Sequence, residues 1–549
     1  MNAASESVPI AVALCDGLAS PDGGSELAAL CEALERTLPD VRAAVVPDLC
    51  RDAERGSAFA VSVGATRLVV GACSDSVSPR DVQRRARRAG LDPFAVELVR
   101  LPEAGVSRQS SDGVLVGLTA AVARVRAFAG TAPEQLRPHF LPRETPVNRR
   151  SLLTLPPIMY EPVPSVEHRR CLGPSRCGLC LEVCPFEALG AEEGRVVLDK
   201  QRCEGCGLCV TACPAGAVSL PGSSLPQYEA QLEVILGSDE PAVLFCCEKA
   251  AGALGGTSGG WLRVEVPCVG MVTPGWTLQA LARGATTVGF ASCGQDCPCA
   301  QEPVLEGRAA YLRDLLRLLG DGPAANRLQS VTVGDAGVQP PPRLPPLRLP
   351  GTPAGALSLA EPVATAEALL RLGGDNPGRQ GRLPADPASP LGLVHVRADA
   401  CTACGACAAA CPTGALRLEG GAETVVLSYD ATACIGCGRC VLNCPETAAH
   451  VLRSERVTDL RALGRGRTPL KLAPLAPCRS CGRPIAPSAM LGRIRALLAD
   501  EEQVDPLFSI LGGLCTACRG STLSAGGAAR REASHRQPAT PGTRGEGEQ

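Results

Sequence analysis

The chain has 549 residues, of which 45% are hydrophobic and 3% aromatic, and its formal net charge is −2. This length and composition fit several globular domains, and the near-neutral charge gives no reason to expect nucleic acid or an acidic membrane as a partner. No signal peptide is visible at the start, and no apolar stretch is long enough for membrane insertion.

Residues 1–130 alternate short apolar runs with helical segments, which predicts a parallel β-sheet covered by helices. The strand-like runs are residues 8–14, 45–46, 68–71 and 94–99. Cys15, Cys50 and Cys73 stand at or just beyond strand ends, where α/β sheets bind their ligands. Cys31 lies among leucines on one helix face, so we expect it to be an ordinary core residue.

Part of this domain resembles a known family. The run L-V-V-G-A-C-S, followed by R-R-A-G-L-D-P-F-A-V-E-L, is similar to the N-terminal domain of the A-type heterodisulfide reductase subunits, which holds an iron–sulfur cluster. Cys50 and Cys73 match its cysteines, whereas its C-x-C-G element is reduced here to Leu14-Cys15-Asp16-Gly17. The resemblance implies an extra cluster on Cys15, Cys50 and Cys73, with plain thiols as the alternative.

Residues 131–165 are rich in proline and predict an extended linker. Two cysteine runs follow within 166–222, C-L-G-P-S-R-C-G-L-C-L-E-V-C-P and C-E-G-C-G-L-C-V-T-A-C-P. The second has the C-x2-C-x2-C-x3-C-P spacing of bacterial ferredoxins with two [4Fe-4S] clusters, and the first differs in one gap. Three cysteines of each loop bind one cubane, and the fourth reaches across to the other. The predicted sets are Cys171, Cys177, Cys180 and Cys213, and Cys203, Cys206, Cys209 and Cys184.

Residues 226–335 again alternate strand-like and helical segments, which predicts a second parallel α/β domain with cysteines after its strands. The segments L-F-C-C-E, V-E-V-P-C-V-G, L-Q-A-L-A-R-G-A and F-A-S-C-G-Q-D-C resemble the delta subunit of methyl-viologen-reducing hydrogenase. That family carries a [2Fe-2S] cluster and passes electrons from a hydrogenase to heterodisulfide reductase. The resemblance therefore implies one [2Fe-2S] cluster and a role in electron transfer.

The resemblance also implies a ligand set. One cysteine of the family is Ala250 here, and the four that remain are enough for a [2Fe-2S] cluster. The implied ligands are Cys247, Cys268, Cys293 and Cys297. Cys246 is an alternative to Cys247, and Cys299 is expected to be dispensable because four ligands already close the site.

Residues 336–392 are rich in proline and predict a semi-rigid spacer, interrupted by a helical segment at 357–372. The ferredoxin pattern then returns within 393–453, where the same crossed rule applies. The predicted sets are Cys401, Cys404, Cys407 and Cys444, and Cys434, Cys437, Cys440 and Cys411. Clusters need reduced thiolates, so the thirty cysteines predict a cytoplasmic protein rather than a secreted one with disulfides.

Two C-x2-C pairs lie within residues 470–520, and four thiolates at this spacing predict a structural zinc site in a ribbon-like module. The predicted ligands are Cys478, Cys481, Cys515 and Cys518. Iron is the alternative metal. Residues 521–549 consist mainly of Gly, Ala, Ser, Arg and Glu and are expected to be a disordered tail.

The sequence thus predicts a multidomain protein of mixed α/β and α+β class: two parallel α/β domains, two dicluster ferredoxin folds and a zinc-ribbon-like module. No catalytic residues stand out. The favoured function is electron transfer between a hydrogenase- or formate-dehydrogenase-like partner and a flavin-containing heterodisulfide-reductase-like or other redox partner. One alternative is a self-contained oxidoreductase acting on a disulfide-type substrate. Another is an adaptor protein that recruits partners through its zinc ribbon.

Overall fold

The structure is a computed structural model. It describes residues 8–18, 24–73, 77–101, 111–140, 158–254, 259–294, 297–331, 339–347, 355–373, 381–446, 449–498 and 512–521. Apart from Ser521, the predicted tail lies outside these residues. None of the helices that they contain is both long and apolar enough to cross a lipid bilayer.

The N-terminal domain is a parallel sheet, as predicted, and its four strands lie in the order β2-β1-β3-β4. Its leucine-lined helix α1 buries Leu27, Leu30 and Leu34. The side chain of Cys31 is buried on the same helix, as expected for a core residue. The elements are β1 Ile10–Cys15, α1 Gly24–Thr37, β2 Val41–Val46, α2 Glu54–Ser62, β3 Arg67–Ala72, α3 Pro79–Arg88, β4 Val96–Arg100 and α4 Ser111–Arg126.

The predicted linker and first ferredoxin module contain short antiparallel strand pairs and two one-turn helices. The linker contributes strands β5 and β6, which pair with each other and are joined by an Arg137–Glu161 ion pair. The elements are β5 Leu136–Phe140, β6 Ile158–Pro162, β7 Ser165–Val166, α5 Leu179–Val183, β8 Leu189–Glu192, β9 Arg195–Leu198, α6 Leu208–Ala212 and β10 Val218–Ser219.

The middle domain is a second parallel sheet, in the order β12-β11-β13-β14. The strand order, with the first strand between the second and the third, is the same as in the N-terminal domain. The elements are α7 Leu225–Leu236, β11 Ala242–Cys247, α8 Glu248–Leu254, β12 Leu262–Val266, α9 Pro274–Ala282, β13 Thr287–Ala291, α10 Glu302–Leu318, α11 Ala324–Arg327 and β14 Leu328–Ser330.

The predicted spacer packs onto the middle domain along much of its described length. Its helix α12, residues Val363–Gly373, lies against α9 and buries Leu369. Trp276 Nε1 donates a hydrogen bond to the Leu359 carbonyl oxygen at 3.0 Å, and Gln279 Nε2 donates one to that of Ala364 at 3.0 Å. The segment thus supplies hydrogen-bond partners to buried polar groups of the middle domain.

The second ferredoxin module is continuous with the C-terminal module through one antiparallel sheet, β16-β17-β19-β20. Strand β19 begins at Thr468, two residues before the predicted start of the zinc module, and pairs with β17 of the ferredoxin module. The elements are β15 Gly392–Val396, α13 Ala406–Ala409, β16 Leu416–Gly420, β17 Thr424–Tyr429, α14 Arg439–Leu442, β18 Leu452–Arg456, α15 Leu460–Leu463, β19 Thr468–Pro477, β20 Pro484–Pro487 and α16 Ser488–Leu497.

A buried arginine joins the N-terminal domain to the middle domain, where α4 packs against α7. The Arg124 guanidinium donates to the carbonyl oxygens of Gly222 at 2.8 Å and Glu265 at 3.0 Å, and it lies 3.2 Å from Glu97 Oε1. It also lies over the Tyr228 ring. Burial raises the pKa of the Glu97 carboxyl and raises that of Glu265 to about 7. The cation thus partly offsets the cost of burying two acids.

Candidate metal centres

The four ferredoxin-type loops share one local device. In each of them, a glycine with positive φ immediately precedes a short helix that carries the third cysteine of the loop. Glycine adopts this left-handed conformation without steric cost, so the chain can turn sharply between the second and third cysteines. The glycines are Gly178 (φ 72°), Gly207 (77°), Gly405 (83°) and Gly438 (71°).

In the second ferredoxin module, the structure brings together the cysteines that the crossed spacing predicts. One cavity is lined by Cys401, Cys404, Cys407 and Cys444. A second cavity is lined by Cys411, Cys434, Cys437 and Cys440. Each therefore takes three thiols from one loop and the fourth from the other, and this donor set fits a [4Fe-4S] cluster. Burial raises the pKa of the Cys407 and Cys440 thiols to about 12, so a bound cation is needed to hold them as thiolates.

The first ferredoxin module is arranged in the same way. Burial raises the pKa of Cys180 to about 12, and nearby Cys213, Cys177 and Cys171 raise it further. In the other group, burial raises the pKa of Cys209, with Cys206, Cys203 and Cys184 among its neighbours. The crossing cysteines accept backbone hydrogen bonds: Ala188 N donates to Cys184 Sγ at 3.3 Å, and Ala217 N donates to Cys213 Sγ at 3.2 Å.

The two ferredoxin modules touch at one cysteine group of each. Arg439 Nη2 lies 2.6 Å from Glu182 Oε1. This ion pair joins α14 of the second module to α5 of the first, and each of these helices carries the third cysteine of its loop. Cys437 is close enough to Cys177 to contribute to the raised pKa of the Cys177 thiol, after the larger effect of burial. The groups containing Cys437 and Cys177 therefore face each other.

The middle domain gathers thiols at the carboxyl edge of its sheet. The Sγ atoms of Cys268, Cys297 and Cys299 all lie within 4.8 Å of one another. Cys297 and Cys247 lie near Cys293 and raise the pKa of its thiol, after the larger effect of burial. A hydrogen bond with Cys299 lowers the pKa of the Cys268 thiol to about 7, which favours the thiolate that metals bind. These donors fit a small iron–sulfur cluster.

Two further cysteines lie at or near this edge. Cys299, predicted to be dispensable, stands inside the three-thiol group rather than beyond it. Cys246, the alternative to Cys247, belongs to the other face of β11, because successive strand residues alternate. Its pKa is raised by burial and then by Glu265. The only signal for Cys299 in the sequence is its place two residues after Cys297, near the same strand end.

The middle domain meets the first ferredoxin module at these thiols. A hydrogen bond with Cys299 lowers the pKa of Cys206, a cysteine of the predicted ferredoxin set. The two loops pack closely there, since a Cβ atom added to Gly207 would overlap the Met271 side chain. On the other side, a Cβ atom added to Gly270 would lie 2.9 Å from Leu208 Cδ2. The contact between the two thiols is therefore supported by tight packing of the loops that carry them.

The N-terminal domain holds a separate three-thiol group at the carboxyl edge of its own sheet. Cys50 Sγ lies 3.4 Å from Cys73 Sγ, which lies 3.6 Å from Cys15 Sγ. Gly17 borders this group, and a Cβ atom there would come within 2.9 Å of Cys73 Sγ. The described residues thus offer three convergent thiols and a glycine that leaves room beside them, which fits a metal or a cluster with three protein ligands.

The C-terminal module brings its four predicted cysteines together within 4.8 Å of one another. Cys481 Sγ lies 3.6 Å from Cys515 Sγ. The backbone N–H of Cys515 donates to Cys478 Sγ at 3.3 Å and lowers the pKa of that thiol to about 6. Four thiols with a preformed thiolate fit tetrahedral zinc.

Replacing Cys481 with serine in the full chain should release one zinc per chain and leave the iron content unchanged, because the site stands apart from the ferredoxin loops. Metal analysis of anaerobically purified protein measures both. The matched control is Cys31→Ser, which should retain all metals since Cys31 lies in no thiol group of the described residues. Zinc-free wild-type protein, or loss of iron in place of zinc, would contradict the assignment of zinc.

The two ferredoxin modules make this chain an iron–sulfur protein. The profile of the 4Fe-4S dicluster domain family matches residues 170–217 and 400–449, which implies four [4Fe-4S] clusters. The profile of the methyl-viologen-reducing hydrogenase delta subunit family matches residues 243–338. The chain thus contains both kinds of domain that the sequence predicted.

A distant similarity extends to a curated protein. The chain is 31% identical over 193 residues to the A-type subunit of ferredoxin:CoB-CoM heterodisulfide reductase from Methanosarcina acetivorans. The match covers 33% of this chain and 23% of that protein, so the chain spans less than a quarter of the length of its relative. The similarity confirms a relation to the A-type heterodisulfide reductase subunits.

Proposed function

We propose that this protein is an electron-transfer subunit, in which clusters held by the two ferredoxin modules and the middle domain form one relay. The observation that carries the proposal is the serial contact between cysteine groups. The group of Cys437 meets that of Cys177 across the Arg439–Glu182 pair. At the other end of the first module, Cys206 meets Cys299 of the middle domain. The groups thus follow one another without an intervening domain.

The ligands we propose for the four cubanes are the crossed sets of the two ferredoxin modules. For the middle domain we propose one [2Fe-2S] cluster, with Cys268, Cys293 and Cys297 among its ligands. When bound, such clusters accept and donate single electrons. The chain's own part is to hold the thiolates, to bury them, and to direct backbone N–H groups such as that of Ala188 at their sulfurs. Burial and hydrogen bonding are the means by which a protein tunes cluster potentials.

The partners we propose follow from the domains that this chain shares with its relatives. A delta-type domain, together with a similarity to the A-type heterodisulfide reductase subunits, favours a place between an electron-producing enzyme and an electron-consuming one. The former would be a hydrogenase or a formate dehydrogenase, and the latter a flavin-containing protein of the heterodisulfide reductase type. Such a complex would operate in the cytoplasm, where thiolates remain reduced.

Pulse radiolysis of the oxidised, anaerobically purified chain tests the relay. A single electron delivered to one cluster should redistribute within the molecule, and the redistribution should appear as successive absorbance changes in the visible region. The rate should not depend on protein concentration, because the cysteine groups touch within one chain. A rate that rises in proportion to concentration would mean exchange between molecules, and the relay would be wrong.

A further inference from the structure

The Sγ atoms of the middle domain are not equally close to one another. Cys268, Cys297 and Cys299 form one group, in which every Sγ atom lies within 4.8 Å of the others. Cys247 is not a member of this group. Cys293 lies near both Cys297 and Cys247, since each of them raises the pKa of its thiol after the larger effect of burial.

From this grouping we propose that Cys299, rather than Cys247, completes the ligand set of the middle domain with Cys268, Cys293 and Cys297. The inference rests on the proposed function, since it assumes that a cluster occupies this edge. Four thiolates suffice for a [2Fe-2S] cluster, and Cys299 shares the three-thiol group with two of the other proposed ligands. Cys247 then lies beside the cluster as a buried thiol.

The position of Cys299 relative to the chain supports a ligand role. Its side chain is 6% exposed, so it is shielded from solvent as the other buried ligands are. Its Sγ atom lies within 4.8 Å of those of both Cys268 and Cys297, so one metal ion could bind all three sulfurs.

The proposal also identifies the electron junction between the two modules. Cys206 belongs to the proposed cubane set of the first ferredoxin module, and it lies near enough to Cys299 for that thiol to lower its pKa. If both are ligands, a ligand sulfur of one cluster lies beside a ligand sulfur of the next cluster. No other residue is then needed to mediate electron transfer between the two clusters. The tight packing of Gly207 against Met271 would then hold these two sulfurs in place.

Two alanine variants of the full chain, Cys299→Ala and Cys247→Ala, form a matched pair. Both cysteines are buried, at 6% and 4% exposure, and both lose one sulfur atom. Alanine is chosen because a serine oxygen can itself bind iron. We expect Cys299→Ala to lose about two of roughly 18 iron atoms per chain and the [2Fe-2S] EPR signal, with the cubane signals retained. We expect Cys247→Ala to keep the full iron content and the same signal.

The opposite pattern, with the [2Fe-2S] signal lost in Cys247→Ala and kept in Cys299→Ala, would overturn the proposal. So would retention of the signal in both variants, or its loss in both. Cubane EPR signals in each variant report that the ferredoxin modules are folded. The assay is separate from the relay test, because wild-type protein that holds the cluster but fails to redistribute electrons would overturn the proposed function and leave the ligand assignment standing.

Discussion

Cys268→Ala protein is expected to lack the [2Fe-2S] EPR signal and to pass almost no electrons between the middle domain and the first ferredoxin module. Cys268 follows β12 and belongs to the three-thiol group with Cys297 and Cys299. It is 4% exposed, so water cannot readily replace its sulfur as a ligand. It also contributes to either proposed ligand set, whether the fourth thiolate is Cys247 or Cys299. Its loss should therefore abolish the cluster whichever of these two thiols completes the set.

EPR at two temperatures separates the two cluster types, and pulse radiolysis measures the transfer. The cubane signals should persist in Cys268→Ala, because the ferredoxin loops supply their own ligands. Cys31→Ala is the control for removing a buried thiol, and it should retain every signal and the wild-type transfer rate. A Cys268→Ala protein with all signals and full transfer would show that the middle domain is not a redox station, and the adaptor hypothesis would then be favoured.

The ferredoxin modules were predictable because their ligands are local in sequence. Each loop places three cysteines within a few residues, and a glycine such as Gly405 sets the turn. The spacing thus carries most of the geometry, including the crossed fourth ligand. The parallel sheets were predictable for a related reason, since the alternation of apolar runs and helices leaves few topologies. The repeated strand order of the two α/β domains, by contrast, is not encoded in any short motif.

The contacts between modules could not be predicted from the sequence. Cys206 and Cys299 are far apart along the chain, and only the packing of the loops that carry Leu208 and Met271 brings them together. The packing of the spacer could not be predicted for the same reason, because proline content describes its backbone and not the buried surface of Leu369. No sequence pattern indicated that Arg124 is buried, since an arginine within a helix usually faces solvent. Such residues acquire their role from partners more than 90 positions away.

Replacing Arg124 with leucine is expected to loosen the contact between the N-terminal and middle domains. The side chain is 6% exposed and that of its partner Glu97 is 19% exposed, so its removal leaves a buried acid without its cation. Breaking a buried pair in this way costs about 3 kcal/mol or more. Amide hydrogen exchange in α4 and α7 should then accelerate by about two orders of magnitude. Arg126→Leu is the control on the same helix, because its pair with Asp40 is partly exposed and should be worth less than about 1 kcal/mol.

The loss of stability that Arg124→Leu causes at the contact between the two domains should also depend on pH. Burial raises the pKa of Glu97, and raises that of Glu265 to about 7, above their values in the unfolded chain. A carboxyl group with a raised pKa favours folding at low pH and loses that contribution as pH rises through its folded pKa. Without the Arg124 cation, both pKa values should rise further, so the penalty for ionising these acids should grow between pH 6 and pH 8. Amide hydrogen exchange in α4 and α7, corrected for the intrinsic rate, should therefore be accelerated more by the substitution at pH 8 than at pH 6. Equal deficits at the two pH values would mean that Arg124 stabilises the contact through its hydrogen bonds to the Gly222 and Glu265 carbonyl oxygens rather than through its charge.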